Sequence, residues 1–97
     1  MKENKKPTVG RPKGSKSFEP SPAIAFGAAV RESRLKVEIS QEELASRARV
    51  ERSHMGKIER GEHMPNFVLI LRLAKALDLS PGQLVDRAVE LIKRSPT

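Results

Sequence analysis

The chain has 97 residues, room for one small domain, and its 19 Lys and Arg against 12 Asp and Glu leave a net charge of +7 that favours a polyanionic partner. The absence of cysteine excludes disulfides and thiolate metal sites, and three Phe with no Trp or Tyr exclude the aromatic platforms that stack single-stranded bases. No apolar stretch of spanning length, basic amphipathic helix, lipidation signal or secretory h-region occurs, so no membrane partner is expected and a cytoplasmic, nucleoid-associated location is.

Residues 1–21 carry six basic and two acidic side chains, with Pro7, Pro12, Pro20, Gly10 and Gly14 and a single aromatic, Phe18. Such a segment buries too little apolar surface to offset its ordering entropy and is expected to be disordered in isolation. Within it, Gly10-Arg11-Pro12-Lys13-Gly14 resembles the core of an AT-hook, although Val9 stands where a basic residue is usual. That resemblance implies Arg11 and Lys13 in the narrow minor groove of A·T-rich DNA, where negative potential is concentrated. The alternative is a solubilising tail.

A domain is expected over residues 22–94. Ser21-Pro22 has the form of an N-cap followed by proline at the first helical position. The apolar spacing predicts helix 1 over about 22–36, with Ile24, Phe26, Val30 and Leu35 buried beside small Gly27, Ala28 and Ala29. Ser40 and Glu43 have capping-box spacing for helix 2, whose Leu44 and Ala45 face inward. Arg49-Val50-Glu51 forms a turn with Val50 plugging the angle between helices. Helix 3 covers 52–60, with Met55 and Ile58 inward, and Gly61 ends it. Pro65-Asn66 introduces helix 4 over 67–77, with Leu69, Ile70, Leu73, Ala74 and Leu77 on its apolar face. Ser80-Pro81 starts helix 5 over 81–94. There is no strand signal or internal repeat, so the fold class is all-α, five helices around one core.

Arg34, Gln41-Glu42-Glu43-Leu44-Ala45, Val50, Ile58-Glu59-Arg60-Gly61, Pro65 and Leu73-Ala74-Lys75-Ala76-Leu77 fall in a distinctive order and spacing. The chain resembles the lambdoid-phage-repressor, Cro/Xre-type helix-turn-helix family over residues 23–86. That resemblance implies a lambda-repressor-like DNA-binding domain, a helix-turn-helix at 40–61 and a recognition helix at 52–60 that enters the major groove of double-stranded DNA. Two positions depart from the family. Arg49 takes a turn position usually held by glycine, at a cost of about 1 kcal/mol if the backbone is left-handed. Gly56 stands where many relatives project a side chain towards the bases.

With Met55 and Ile58 inward, helix geometry puts Arg52, Ser53, Gly56 and Lys57 on the outward surface. Arg52 and Lys57 suit guanine O6 and N7, Ser53 donates or accepts, and His54 on the flank suits a phosphate or a thymine methyl. The alternative is a merely solvated charged face. For phosphate, the family implies Gln41 at the start of helix 2, and Arg60, His63 and Asn66 follow helix 3, with the Phe67 and Val68 N–H groups nearby. His63 is equally readable as a bystander. In the family Arg34 and Glu59 form a structural pair that fixes helix 3.

Relatives pair through C-terminal helices, which implies a two-fold homodimer through Val85, Val89 and Ile92 with half-sites about one helical turn apart. These residues could equally pack within one subunit. No catalytic constellation, metal cluster or phosphate-cradling glycine motif is visible, so neither an enzyme nor a cofactor is expected. A chain of this size also leaves no room for a small-molecule ligand. The expected function is transcriptional regulation from an operator, as a phage-type repressor, a restriction-modification controller or an antitoxin. The competing reading is a protein–protein adaptor whose basic tail binds nucleic acid nonspecifically.

Overall fold

Three of the five helices start at a side chain that accepts from their own first turn. A computed structural model of the chain describes residues 20–94, as α1 (Pro20–Lys36), α2 (Gln41–Ala48), α3 (Arg52–Glu59), α4 (Phe67–Ala76) and α5 (Pro81–Arg94), with no strand among the described residues. Ser40 Oγ accepts from the Glu43 N–H at 2.9 Å, Asn66 Oδ1 from the Leu69 N–H at 2.9 Å, and Ser80 Oγ from the Gln83 N–H at 3.1 Å. Each satisfies a donor that has no partner within its helix. The full reciprocal box forms at Ser80, whose N–H donates to Gln83 Oε1 at 2.8 Å. At Ser40 only half of the expected box forms, because the Glu43 carboxylate accepts from Arg47 Nε instead, at 2.9 Å. Helix α1 begins at Pro20, so Ser21 lies inside it and does not cap it. Prolines at 20 and 22 are both tolerated there, since first-turn N–H groups lack intrahelical acceptors.

Four helix ends turn through a left-handed residue, and only one of these is glycine: Glu38 (φ 60°), Arg49 (φ 60°), Gly61 (φ 76°) and Asp78 (φ 62°). At each, the next N–H reaches back into the helix, as from Val50 to Ala45 O at 2.9 Å and from Leu79 to Ala74 O at 2.9 Å. These bonds, and the core that each turn encloses, hold three side-chain-bearing residues in a conformation that costs about 1 kcal/mol apiece. Arg49 therefore keeps the family turn in its left-handed form without resetting it.

The core is built from Phe26, Val30, Leu44, Met55, Ile58, Leu73 and Leu84, with small Ala29, Ala45, Ala48 and Ala74 filling between them. Val50 packs against its edge, as the turn reading required. Helix α1 departs from expectation. Ile24 and Leu35 are 54% and 49% exposed and Ala28 is exposed, whereas Ala23 and Ala25 are buried. The cause is a close crossing at Gly27, where an added Cβ would lie 2.1 Å from Ile58 O and 2.8 Å from Glu59 O. That contact turns α1 so that Ala23, Phe26 and Val30 face inward. Ile24, Ala28 and Leu35, spaced by four and then seven residues, or one and two helical turns, share the outward face.

Helix α5 packs mainly on α1. Leu84 and Ala88 are buried and Leu91 lies against the core, leaving Val85 and Val89 40% and 39% exposed and Ile92 half-buried. Arg87 fastens the two helices, with Nε and Nη2 donating to Glu32 at 2.6 and 2.7 Å and Nη1 donating to Glu90 at 2.7 Å. Hydrogen bonding to Arg87 holds the Glu32 carboxyl below the ordinary glutamate range, a shift that desolvation only partly offsets.

Candidate nucleic-acid interface

Helix α3 is short, and what fixes it is polar. The Arg34 guanidinium reaches from α1 with Nε 2.7 Å from Glu59 Oε2 and Nη2 3.0 Å from Glu59 Oε1. Its third nitrogen, Nη1, donates to Ile39 O at 3.0 Å, tying in the α1–α2 loop. Gln41 Nε2 donates to the same Glu59 Oε1 at 3.0 Å, so one carboxylate joins α1, α2 and α3. The Glu59 side chain is 2% exposed and that of Arg34 is 11% exposed. Hydrogen bonding to Glu59 raises the Arg34 pKa above the ordinary arginine value, against the opposing effect of burial.

This clamp leaves one surface of α3 free. Met55 and Ile58 are fully buried, while Arg52, Ser53 and Lys57 are exposed and His54 is half-buried on the flank. Three of the four outward positions read from the helical period are therefore where geometry put them. Gly56 is not: it is buried, roofed by the Arg60 guanidinium and the Gln41 amide. A Cβ there would lie 2.9 Å from Arg60 Nη1 and 3.5 Å from Gln41 Oε1. Glycine at 56 thus makes a seat for Arg60.

Arg60 is exposed and its outer edge is already engaged, with Nε 2.8 Å and Nη2 3.2 Å from the two Glu62 oxygens. This pairing lowers the Glu62 pKa and raises that of Arg60, with the hydrogen bonds the largest cause in both. Sequence reading passed over Glu62, because an i, i+2 pair beyond a helix end matches no helical spacing rule.

His63 is exposed and packs edge-on against His54, the ring centroids 4.5 Å apart and the planes inclined by 74°. His63, expected at a phosphate or else as a bystander, therefore touches α3, across a loop that no sequence pattern specifies. Asn66 commits its side-chain oxygen to capping α4, which leaves only its amide nitrogen for an external acceptor. Gln41 likewise has one amide hydrogen bound to Glu59 and one remaining. Arg11 and Lys13 lie outside the described residues.

A helix-turn-helix domain family matches residues 25–88 of the chain. The chain belongs to that family. Among solved structures, this helix-turn-helix protein is 42% identical to the restriction-modification controller protein C.AhdI from Aeromonas hydrophila. That match covers 64% of this chain and 94% of that one, with a TM-score of 0.62. It is 28% identical to the clp gene regulator ClgR from Corynebacterium glutamicum over 79% of this chain and 99% of that one, with a TM-score of 0.72. The restriction-modification controller protein C.Esp1396I, 20% identical, shares the fold with a TM-score of 0.71 over 82% of this chain and all of that one. No curated protein sequence is significantly similar to the chain. Among the described residues no helix is long and apolar enough to cross a membrane.

Proposed function

We propose that this protein is a sequence-specific regulator of transcription that binds double-stranded DNA with α3 in the major groove. The observation that carries the reading is the pairing of a rigid clamp with a free rim. Arg34, Glu59 and Gln41 hold α3 from behind, while Arg52, Ser53 and Lys57 stand exposed on its front. Arg52 and Lys57 read guanine edges, with Ser53 and His54 beside them. The remaining Gln41 amide hydrogen, Arg60, His63 and Asn66 take phosphates on either side. Arg11 and Lys13 add a minor-groove grip from the tail. Likeness to C.AhdI over nearly all of that protein favours a controller-type role over a phage-type or antitoxin role.

The decisive measurement selects bound duplexes from a random pool and then compares the selected duplex with a random one across a salt titration. Preference for the selected duplex by at least about 10³ is expected. Equal affinity for both would favour a protein–protein adaptor.

The functional unit is a homodimer through Val85, Val89 and Ile92. Val85 and Val89 are apolar side chains that their own subunit leaves about two-fifths exposed. Sedimentation at micromolar concentration should give twice the monomer mass, with Val89→Glu reverting it to monomer; monomeric wild-type protein would refute the dimer.

Glu62 restrains the phosphate grip by holding Arg60 and by adding a negative charge beside it. Glu62→Gln should tighten binding to every duplex, selected or random, by roughly two- to five-fold, as befits an exposed pair. The salt dependence should steepen by up to about 0.9 per subunit. An unchanged salt slope would mean that Arg60 never meets a phosphate.

A further inference from the structure

Beside the recognition helix, a trough runs away along α4. One end is a hollow of about 460 Å³ lined by Arg49, Arg72, His54, His63 and Asn66, with Glu51 as its one carboxylate and Val50, Val68 and Leu69 as its apolar wall. The other is a hollow of about 690 Å³ lined by Arg47, Arg49, Arg72 and Lys75, with Asp78 as its one carboxylate. Arg49 and Arg72 line both, so the two hollows adjoin along these side chains. Arg47 is paired with Glu43 at 2.9 Å. Among the described residues Arg49, Arg72 and Lys75 have no carboxylate within ion-pair distance, and all three are exposed.

We infer that this trough is a second phosphate track, which carries DNA flanking the site read by α3. The inference rests on the DNA-binding reading above and extends it. Two observations choose nucleic acid over an acidic peptide. The trough is continuous with His54, His63 and Asn66, at the edge of the proposed DNA face. Its cationic end also contains no large apolar side chain, only Ala48 and Ala76 between the charges, so a peptide would find no anchoring pocket among the cations; Val50, Val68 and Leu69 line only the end beside His54 and His63. From Asn66 to Lys75 a helix rises roughly 13 Å, the axial rise of about four nucleotides of one strand. The left-handed backbone at Arg49 serves this surface, because the turn residue that is usually glycine here contributes a cation to it. Flanking DNA must curve towards α4 to reach Lys75, so flexible pyrimidine–purine steps outside the read site should favour binding.

The test uses the full chain with two duplexes. One ends at the selected site, and the other extends it by about one helical turn (about 10 base pairs) on each side. The track variant combines Arg49→Asn, Arg72→Gln and Lys75→Gln, asparagine being chosen because it tolerates left-handed backbone. A control with equal charge loss combines Arg31→Gln, Lys36→Gln and Lys93→Gln, on α1 and α5. The wild type and the control should bind the extended duplex at least about tenfold more tightly than the short one in low salt. The track variant should lose that advantage, and its salt slope on the extended duplex should flatten by about 2.7 per subunit, or 0.9 for each of three contacts. Retention of the advantage by the track variant would overturn the track, as would its equal loss in the control. Failure of the wild type to prefer the short selected duplex over a random one would instead overturn the DNA-binding reading itself.

Discussion

Replacing Arg34 by alanine should destabilise the domain by about 3–5 kcal/mol, because it strands a carboxylate that is already out of water. The Glu59 side chain is 2% exposed and receives two of its three hydrogen bonds from Arg34. The one that remains comes from neutral Gln41. Loss of Arg34 Nη1 also frees Ile39 O and with it the loop that leads into α2. For a domain of this size such a loss lowers the melting temperature by roughly 12 °C or more, a large part of a typical total stability of about 5–15 kcal/mol. Urea denaturation followed by circular dichroism measures it directly. The double variant Arg34→Met, Glu59→Leu should recover much of the stability, since an apolar pair leaves no buried charge. A cost below about 1 kcal/mol for Arg34→Ala would show that water reaches Glu59 and that the clamp is not what fixes α3.

Arg52→Ala should leave the fold intact and remove the preference for the selected duplex. Arg52 is exposed at the first position of α3 and belongs to none of the ion pairs among the described residues, so a stability change within about 0.5 kcal/mol is expected. A bidentate arginine–guanine contact contributes about 1–3 kcal/mol of discrimination, and a two-fold dimer makes it twice. The ratio of selected to random affinity should therefore fall by about 30-fold to 2 × 10⁴-fold. Affinity for random duplex should change little, with a salt slope lower by no more than about 0.9 per subunit. A variant that still discriminated would place base reading elsewhere, on Lys57 or outside α3.

The contrast between these two variants is the contrast between what the chain order makes visible and what it hides. The apolar period of α3 predicts that Met55 and Ile58 are inside and that Arg52, Ser53 and Lys57 are outside, because a helix repeats every 3.6 residues whatever it packs against. The caps at Ser40, Asn66 and Ser80 are equally local and equally legible. Helix α1 was misread for the opposite reason. Its apolar residues are spread around the helix, so the inward face is chosen by the contact at Gly27, not by hydrophobicity. Ile24 and Leu35 were the larger side chains, yet alanines at 23 and 25 are the ones that the close crossing can accommodate.

Gly56 carries the same lesson inside the interface. An outward period assigned Gly56 to solvent, but Arg60 folds back over it, a contact decided by the missing Cβ and by the path of the loop after Gly61. The edge-on contact of His54 with His63 and the trough shared by Arg49 and Arg72 bring together residues from separate elements, whereas Glu62 grips Arg60 from two residues along the chain.

Order, spacing and charge predict the helices of residues 20–94, the turn between α2 and α3 and the cationic rim of α3, and the family resemblance adds the pairing of Arg34 with Glu59. Those properties depend on interactions within a few residues, or on a family pattern written directly in the chain. Tertiary packing decided which side of α1 is buried, which polar atoms near α3 are already engaged, and where cations with no ion-pair partner among the described residues gather. Those properties depend on backbone approach to within a few ångströms between distant segments, a distance that no linear pattern encodes.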